Sequence, residues 1–296
     1  MSDTIEGLNR KIDSAKDLQT VVRTMKAMAA ANIEQYECSV HALTDYYLTV
    51  EMGLGAYFRQ NKSTALMAEQ KKLVNNDIVN VIIFGSDQGL VGQFNDVISY
   101  YAAKTLKTLP GKLQVWAVGE RVHASLESAG LPPKGIFAVP SSVKTITPLV
   151  GQILTACKIN CDQDETAALY LFYNNPTSGE IYSPINQQLL PLDEYWQYQS
   201  MRLPWPTKNL PQIMDPKIQT LQALIREYLF VSIFRACAGS LASENASRLM
   251  AMQRADKNID ELLKNLGETF QCLRQNSIDE ELFDVISGFE ALGGCK

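Results

Sequence analysis

All twelve prolines of this 296-residue chain lie between Pro110 and Pro216, so residues 217–296 contain none. Proline inside a helix removes a backbone hydrogen bond and clashes with the preceding turn, at a cost of about 3 kcal/mol. An eighty-residue stretch free of it is therefore permitted to be one helix. Its periodicity supports that reading. Leu262, Leu266, Phe270 and Leu273, then Ile278, Leu282, Val285, Phe289 and Leu292, recur at steps of three and four, the stripe a long helix shows to a partner. Gly239 and Gly267 permit a bend. The first sixty residues also lack proline and carry a second stripe through Ile5, Leu8, Ile12, Ala15, Gln19, Val22, Met25 and Ala29 to Ile33, Tyr36 and Val40. At the rise of an α-helix the two segments would reach on the order of 80 Å and roughly 110 Å, wider than any single globular core. No self-similar period marks a helical repeat, so the pattern predicts an antiparallel coiled coil of the two chain ends. The C-terminal helix would overhang by about 20 residues, or roughly 30 Å. Its apolar tip needs a cover from another chain.

The middle of the chain has a different period. Residues 77–84 (DIVNVIIF), 113–118 (LQVWAV), 135–139 and 167–173 (AALYLFY) are short β-branched and aromatic runs. Helical stretches near 95–108, 119–129 and 144–158 separate them. Strand and helix in alternation predict a Rossmann-like, mostly parallel sheet with right-handed crossovers. Residues 180–192 add an edge strand or hairpin, and 195–216, with four prolines, read as an extended connection. The expected organisation is a helix over 1–60, an α/β domain over 75–195 and a helix over 210–292.

After the first strand comes GSDQGLVGQFN, Gly85 to Asn95, a glycine-rich turn of the kind that can hold a phosphate. Its spacing, G-x3-G-x2-G, is neither a dinucleotide fingerprint nor a P-loop. No Gly-Lys-Ser/Thr follows it, and Lys104 and Lys107 sit where a ribose-binding acid belongs. A structural turn or a partner-docking loop fits better, while a nucleotide-binding α/β enzyme with helical oligomerisation arms is the alternative. No catalytic constellation, cofactor motif or metal-ligand spacing stands out. His41 and His123 lie on predicted helices and read as surface or packing residues. Asp279, Glu280, Glu281 and Asp284 lack the glycine-containing loop that calcium requires. The six cysteines are sparse and read as reduced packing residues. Arg10, Lys11, Lys16, Arg23 and Lys26 form either a solvated face or a contact to an acidic partner.

Composition narrows the classes further. With 32 acidic against 27 basic residues and a net charge of −5, the chain lacks the basic surplus that nucleic-acid binding requires. No apolar run approaches the roughly 18 residues of a membrane-spanning helix, and the N-terminus has no secretory or transit character, so a cytoplasmic protein without direct membrane insertion is expected.

Three segments, in order, resemble the gamma subunit of F-type ATP synthases. They are residues 8–31 (LNRKIDS through VVRTMKAMAAA), the turn FGSDQGLVGQFN at 84–95, and residues 241–292, which run without a gap along that family's C-terminal helix. The last carries Ile278, Asp279, Glu281, Asp284, Gly288 and Phe289 at the family's signature positions. Departures are Asp279 for the usual Thr, Phe289 for Ala, Gln88 for a basic residue and Val91 for Cys, which suit a divergent or second bacterial copy. The resemblance implies a non-catalytic rotor shaft that couples proton or other ion transport through a membrane c-ring to nucleotide exchange in beta subunits. It implies partners in the alpha and beta subunits of a catalytic hexamer, epsilon and the c-ring, no cofactor, and a peripheral place on the cytoplasmic face of the bacterial cell membrane. By motif position, the implied partner contacts are Arg23, Met25, Lys26, Gln88, Arg248, Arg274, Gln275, Glu281 and Phe289.

Overall fold

The computed structural model describes residues 4–60, 78–109, 111–157, 168–177, 181–209, 211–212 and 217–293. Two compact units form, one from Met1–Met28 with Leu249–Lys296 and the other from Ala29–Arg248.

The second unit holds the sheet. Strands β1 (Ile78–Phe84), β2 (Lys112–Val118), β3 (Gly135–Phe137), β4 (Ala168–Asn175) and β5 (Ser183–Leu190) lie in the order β3-β2-β1-β4-β5. All neighbours are parallel except β5, which runs antiparallel on β4 with an irregularity at Leu169/Tyr170. The strand β1 is apolar at every position but Asn80 because both its faces are covered. Val79, Val81 and Ile83 pack with Ile98, Ala102 and Leu106 of α3 (Phe94–Leu106) and with Val122 and Leu126 of α4 (Glu120–Ser128). Ile82 and Phe84 face the other way, into a core shared with Ile146, Val150 and Ile153 of α5 (Ile146–Ala156). Tyr228, Leu229, Ile233 and Leu241 of the C-terminal helix complete that core. Asn80, buried in β1, is held by a hydrogen bond from its amide to the carbonyl of Cys157 (3.2 Å).

The proline-free tail is one helix, here α7, Lys217–Gly293, 77 residues without a break. Neither Gly239 nor Gly267 interrupts it. Gly239 packs closely, since a Cβ there would lie 3.4 Å from Asn175 Oδ1, whereas one at Gly267 would meet nothing within 4 Å.

Two expectations need correcting. The N-terminal helix is divided at Leu43 into α1 (Ile5–Ala42) and α2 (Thr44–Gln60). The hydroxyl of Thr44 bonds the carbonyl of Val40 (3.1 Å) across the division, a bond that Thr20, Thr24 and Thr49 also make inside unbroken helices. The connection over 195–216 is also not wholly extended, because Glu194–Arg202 forms α6. It packs on α2 so closely that a Cβ on Gly55 would sit 2.2 Å from the carbonyl oxygen of Ser200. The Trp196 ring of α6 lies 4.8 Å from that of Tyr228 of α7, tilted at 46°.

Candidate partner-binding surface

The glycine-rich turn meets its polar needs from within the second unit. Ser86 donates its backbone N–H to Asn95 Oδ1 (3.0 Å), and the Asn95 amide returns a bond to Ser86 Oγ (2.9 Å). The Asp87 carboxylate accepts the backbone N–H of Glu120 at the start of α4 and that of Val139 after β3, each at 3.0 Å. A helix N-terminus attracts anions because its first N–H groups lack helical acceptors. Here the chain's own carboxylate takes that place at α4, so Asp87 anchors the turn to the neighbouring helix. Two glycines are steric necessities. A Cβ on Gly85 would lie 2.2 Å from Val122 Cβ, and Gly119, at φ +119°, would bring one within 2.6 Å of Ser86 O. Ser247 of α7 and Asn174 of β4 bond the carbonyls of Val91 (2.6 Å) and Phe94 (3.0 Å), tying the turn to the long helix and the sheet.

A groove of about 600 Å³ in the same unit is lined by Glu37, His41, Tyr47, Tyr173, Ser232 and Arg235, among others. The Arg235 guanidinium lies over the Tyr47 ring at 4.6 Å. With Glu37 opposing Arg235, its lining shows no single charge preference.

Along the helices of the second unit, Asn32 bonds Asn245 (3.4 Å) and Tyr46 bonds Glu227 (2.6 Å), an antiparallel match of α1 and α2 with α7. Flanking the Asn245 contact is a nearly buried ion pair, Arg248 Nη2 to Glu244 Oε1 at 2.6 Å. Burial lifts the Glu244 carboxyl above the usual carboxylate range, and Arg248 partly opposes that. Glu244 Oε2 and Arg248 Nε have no hydrogen-bond partner among the described residues.

The first unit carries a denser polar seam. Asp256 accepts from Arg23 Nε (3.1 Å) and from Gln19 (3.4 Å), and it lies 3.7 Å from Lys26 Nζ. Asp260 bonds the same Gln19 amide and stands 3.6 Å from Arg23 Nη2. Hydrogen bonding from Arg23, with the charges of Arg23 and Lys26 behind it, holds the Asp256 carboxyl below its ordinary value.

The residues expected at a partner interface thus sit in distinct settings. Arg23 and Lys26 are partly exposed and internally paired, and Met25 beside them is half-buried. Gln88 is exposed on the turn, and its backbone carbonyl accepts from Ser86 Oγ (2.9 Å). Arg248 is mostly buried against Glu244. Arg274, Gln275 and Glu281 are exposed on α7, as are Asp279, Glu280 and Asp284. The side chain of Phe289 lies outside the described residues. Ile278, Leu282, Phe283, Val285 and Ile286 are all exposed, Val285 at 69%. Gln19, Asp256 and Asp260 escape a reading of either end alone, because their partners are more than 230 positions away. Matching the basic side of one helix against acids on the other would have found them. Among the described residues no group of three or more His, Cys, Asp or Glu could hold a metal ion, and no helix is long and apolar enough to cross a membrane.

A family model described as ATP synthase matches residues 4–292. The ATP synthase gamma chain of Sulfurihydrogenibium sp. (strain YO3AOP1) is 25% identical over 96% of this chain and 97% of its own length. That of Bdellovibrio bacteriovorus is 24% identical over 98% and 99%. Among solved structures, a chain from the Euglena gracilis mitochondrial ATP synthase rotor has the same fold, with a TM-score of 0.61 at 13% identity over 93% of this chain and 98% of that one.

Proposed function

This chain belongs to the ATP synthase family of gamma chains, and on that premise we propose that it is the central shaft of an F-type ATP synthase, itself non-catalytic. The observation that carries the reading is the bare apolar end of α7. Leu282, Phe283 and Val285 stand more than half exposed, with no partner among the described residues, a surface that water disfavours at roughly 25 cal/mol per Å². A sleeve of alternating alpha and beta subunits would cover it. Within that sleeve the shaft presents a different face to each of three otherwise equivalent beta subunits. Turning it changes their nucleotide affinities in sequence, a coupling of binding free energies through rigid-body motion.

Residues 1–60 and 210–292 supply the helical part of this shaft and residues 75–195 the domain that docks on epsilon and the c-ring. Arg23, Met25, Lys26, Arg248, Arg274, Gln275, Glu281 and Phe289 are the contacts we assign to the hexamer, and Gln88 on its exposed turn is assigned to a partner of the central domain. The complex works peripherally at the cytoplasmic face of a bacterial membrane. Removal of residues 280–296 tests this. We expect co-purification with the alpha and beta subunits to fall while the circular dichroism of the shortened chain stays helical. Undiminished co-purification and ATP hydrolysis coupling would refute the assigned contacts.

A further inference from the structure

Taken by sequence, α1 carries basic residues with few intervening acids, and Arg23 and Lys26 are among them. In the folded chain both converge on one carboxylate. Asp256, whose side chain is only 16% exposed, receives Arg23 Nε at 3.1 Å, lies 3.7 Å from Lys26 Nζ and accepts the Gln19 amide. Asp260, one turn further on, takes Gln19 again and stands 3.6 Å from Arg23. Gln19, Arg23 and Lys26 follow one another at steps of four and three, which places them on one stripe of α1, and the two acids share a stripe of α7 in the same way. Two cations therefore face two anions, and the seam carries no net charge.

We propose that Asp256 is a positioning residue that fixes the register of α1 against α7 within the first unit and shares the charge of Arg23 and Lys26, so that these cations hold an acidic partner only weakly. The first half follows from geometry. A slide of one helix by one turn in either direction separates Asp256 from part of its Gln19, Arg23 and Lys26 set. The second half rests on the shaft reading, in which a surface that must pass each neighbour in turn cannot adhere strongly to any. A cation already sharing a carboxylate attracts a second acid less, and since the Arg23 side chain is 58% exposed it stays within reach of one.

Asp256→Asn keeps the shape and removes one charge from the seam. In the complex assembled from the full-length chain and the alpha and beta subunits of its own organism, its effect is read in the salt dependence of shaft dissociation and in ATP turnover. Between about 50 and about 300 mM NaCl the variant should show a steeper salt dependence than wild type, with turnover several-fold slower at the low-salt end. Adding Arg23→Gln, or salt, should restore it. A salt dependence and turnover equal to wild type would overturn the charge-sharing half. The register half is read in the isolated full-length chain, as the urea midpoints of Arg23→Gln, Asp256→Asn and the double variant at low salt. Shifts that fail to add, and that become additive at high salt, support it, whereas additive shifts at both salt levels overturn it. If the wild-type chain does not assemble with alpha and beta subunits, the shaft reading and the charge-sharing half fall together, while the urea cycle still decides the register.

Discussion

Reactivity separates the four described cysteines by their surroundings. Cys38 and Cys272 are exposed on α1 and α7, whereas Cys157 and Cys237 are buried. Burial pushes the Cys157 thiol up to about 12 and raises that of Cys237 as well, and only a thiolate attacks a disulfide reagent. In the folded chain at pH 8, Cys38 and Cys272 should label rapidly and Cys157 and Cys237 only after unfolding, a difference that mass spectrometry of the labelled peptides resolves. Asp87 anchors two backbone donors with one carboxylate, and hydrogen bonds to a charged group are worth about 1.5–3 kcal/mol each. Asp87→Ala should therefore lower the urea-unfolding free energy of the sheet unit by about 2 kcal/mol or more. Glu244 gives a pH signature. Its carboxyl titrates above the ordinary 4.5 because burial disfavours its charge. The stabilisation from a raised carboxyl is complete below the unfolded value and is lost as the pH climbs through the folded one. Relative to wild type, Glu244→Gln should therefore gain stability as the pH rises from about 4.5 towards neutrality. A difference between the two that stays constant with pH would contradict this.

At the scale of elements, periodicity carries most of the fold. The apolar run of β1, interrupted only at Asn80, announces a strand covered on both faces, and the absence of proline after Pro216 announces α7. The expected strand and helix positions between residues 77 and 175 fall within a few residues of those observed. What escapes the sequence is locally unmarked, masked or dependent on distant partners. The division of α1 from α2 at Leu43 has no glycine or proline to mark it. The helix α6 is hidden by the prolines beyond it, although Pro204, just past Arg202, is the punctuation that commonly follows a helix end. The candidate surface is half legible. Arg23 and Lys26 stand out as a basic stripe, but the acids that neutralise them belong to the opposite end of the chain. Element-level stability offers a simple check. A Cβ at Gly267 would meet nothing within 4 Å, so Gly267→Ala should gain about 0.5–1 kcal/mol from helix propensity alone. An unchanged or lowered urea midpoint would show that the glycine serves a purpose this fold does not reveal.

For the whole molecule, the same sequence serves two physical demands. The unit of residues 29–248 spends its polar side chains internally: Asp87 on backbone donors, Asn95 on Ser86, Arg248 on Glu244. What remains is a scaffold rather than a reaction centre, consistent with a chain whose proposed work is mechanical. The unit of the two chain ends leaves its apolar side chains uncovered near residues 278–286 and neutralises Arg23 and Lys26, a surface suited to being enclosed without being gripped. The rotation proposed for this chain inside a catalytic hexamer can be watched in single molecules. With the alpha and beta subunits of the same organism fixed to a surface, Cys38→Ser and Cys272→Ser removing the exposed thiols, and a gold rod attached at Tyr100→Cys, an exposed site on α3, ATP should drive unidirectional rotation in three equal steps per turn. An assembled complex that hydrolyses ATP while the rod shows only undirected motion would contradict the account.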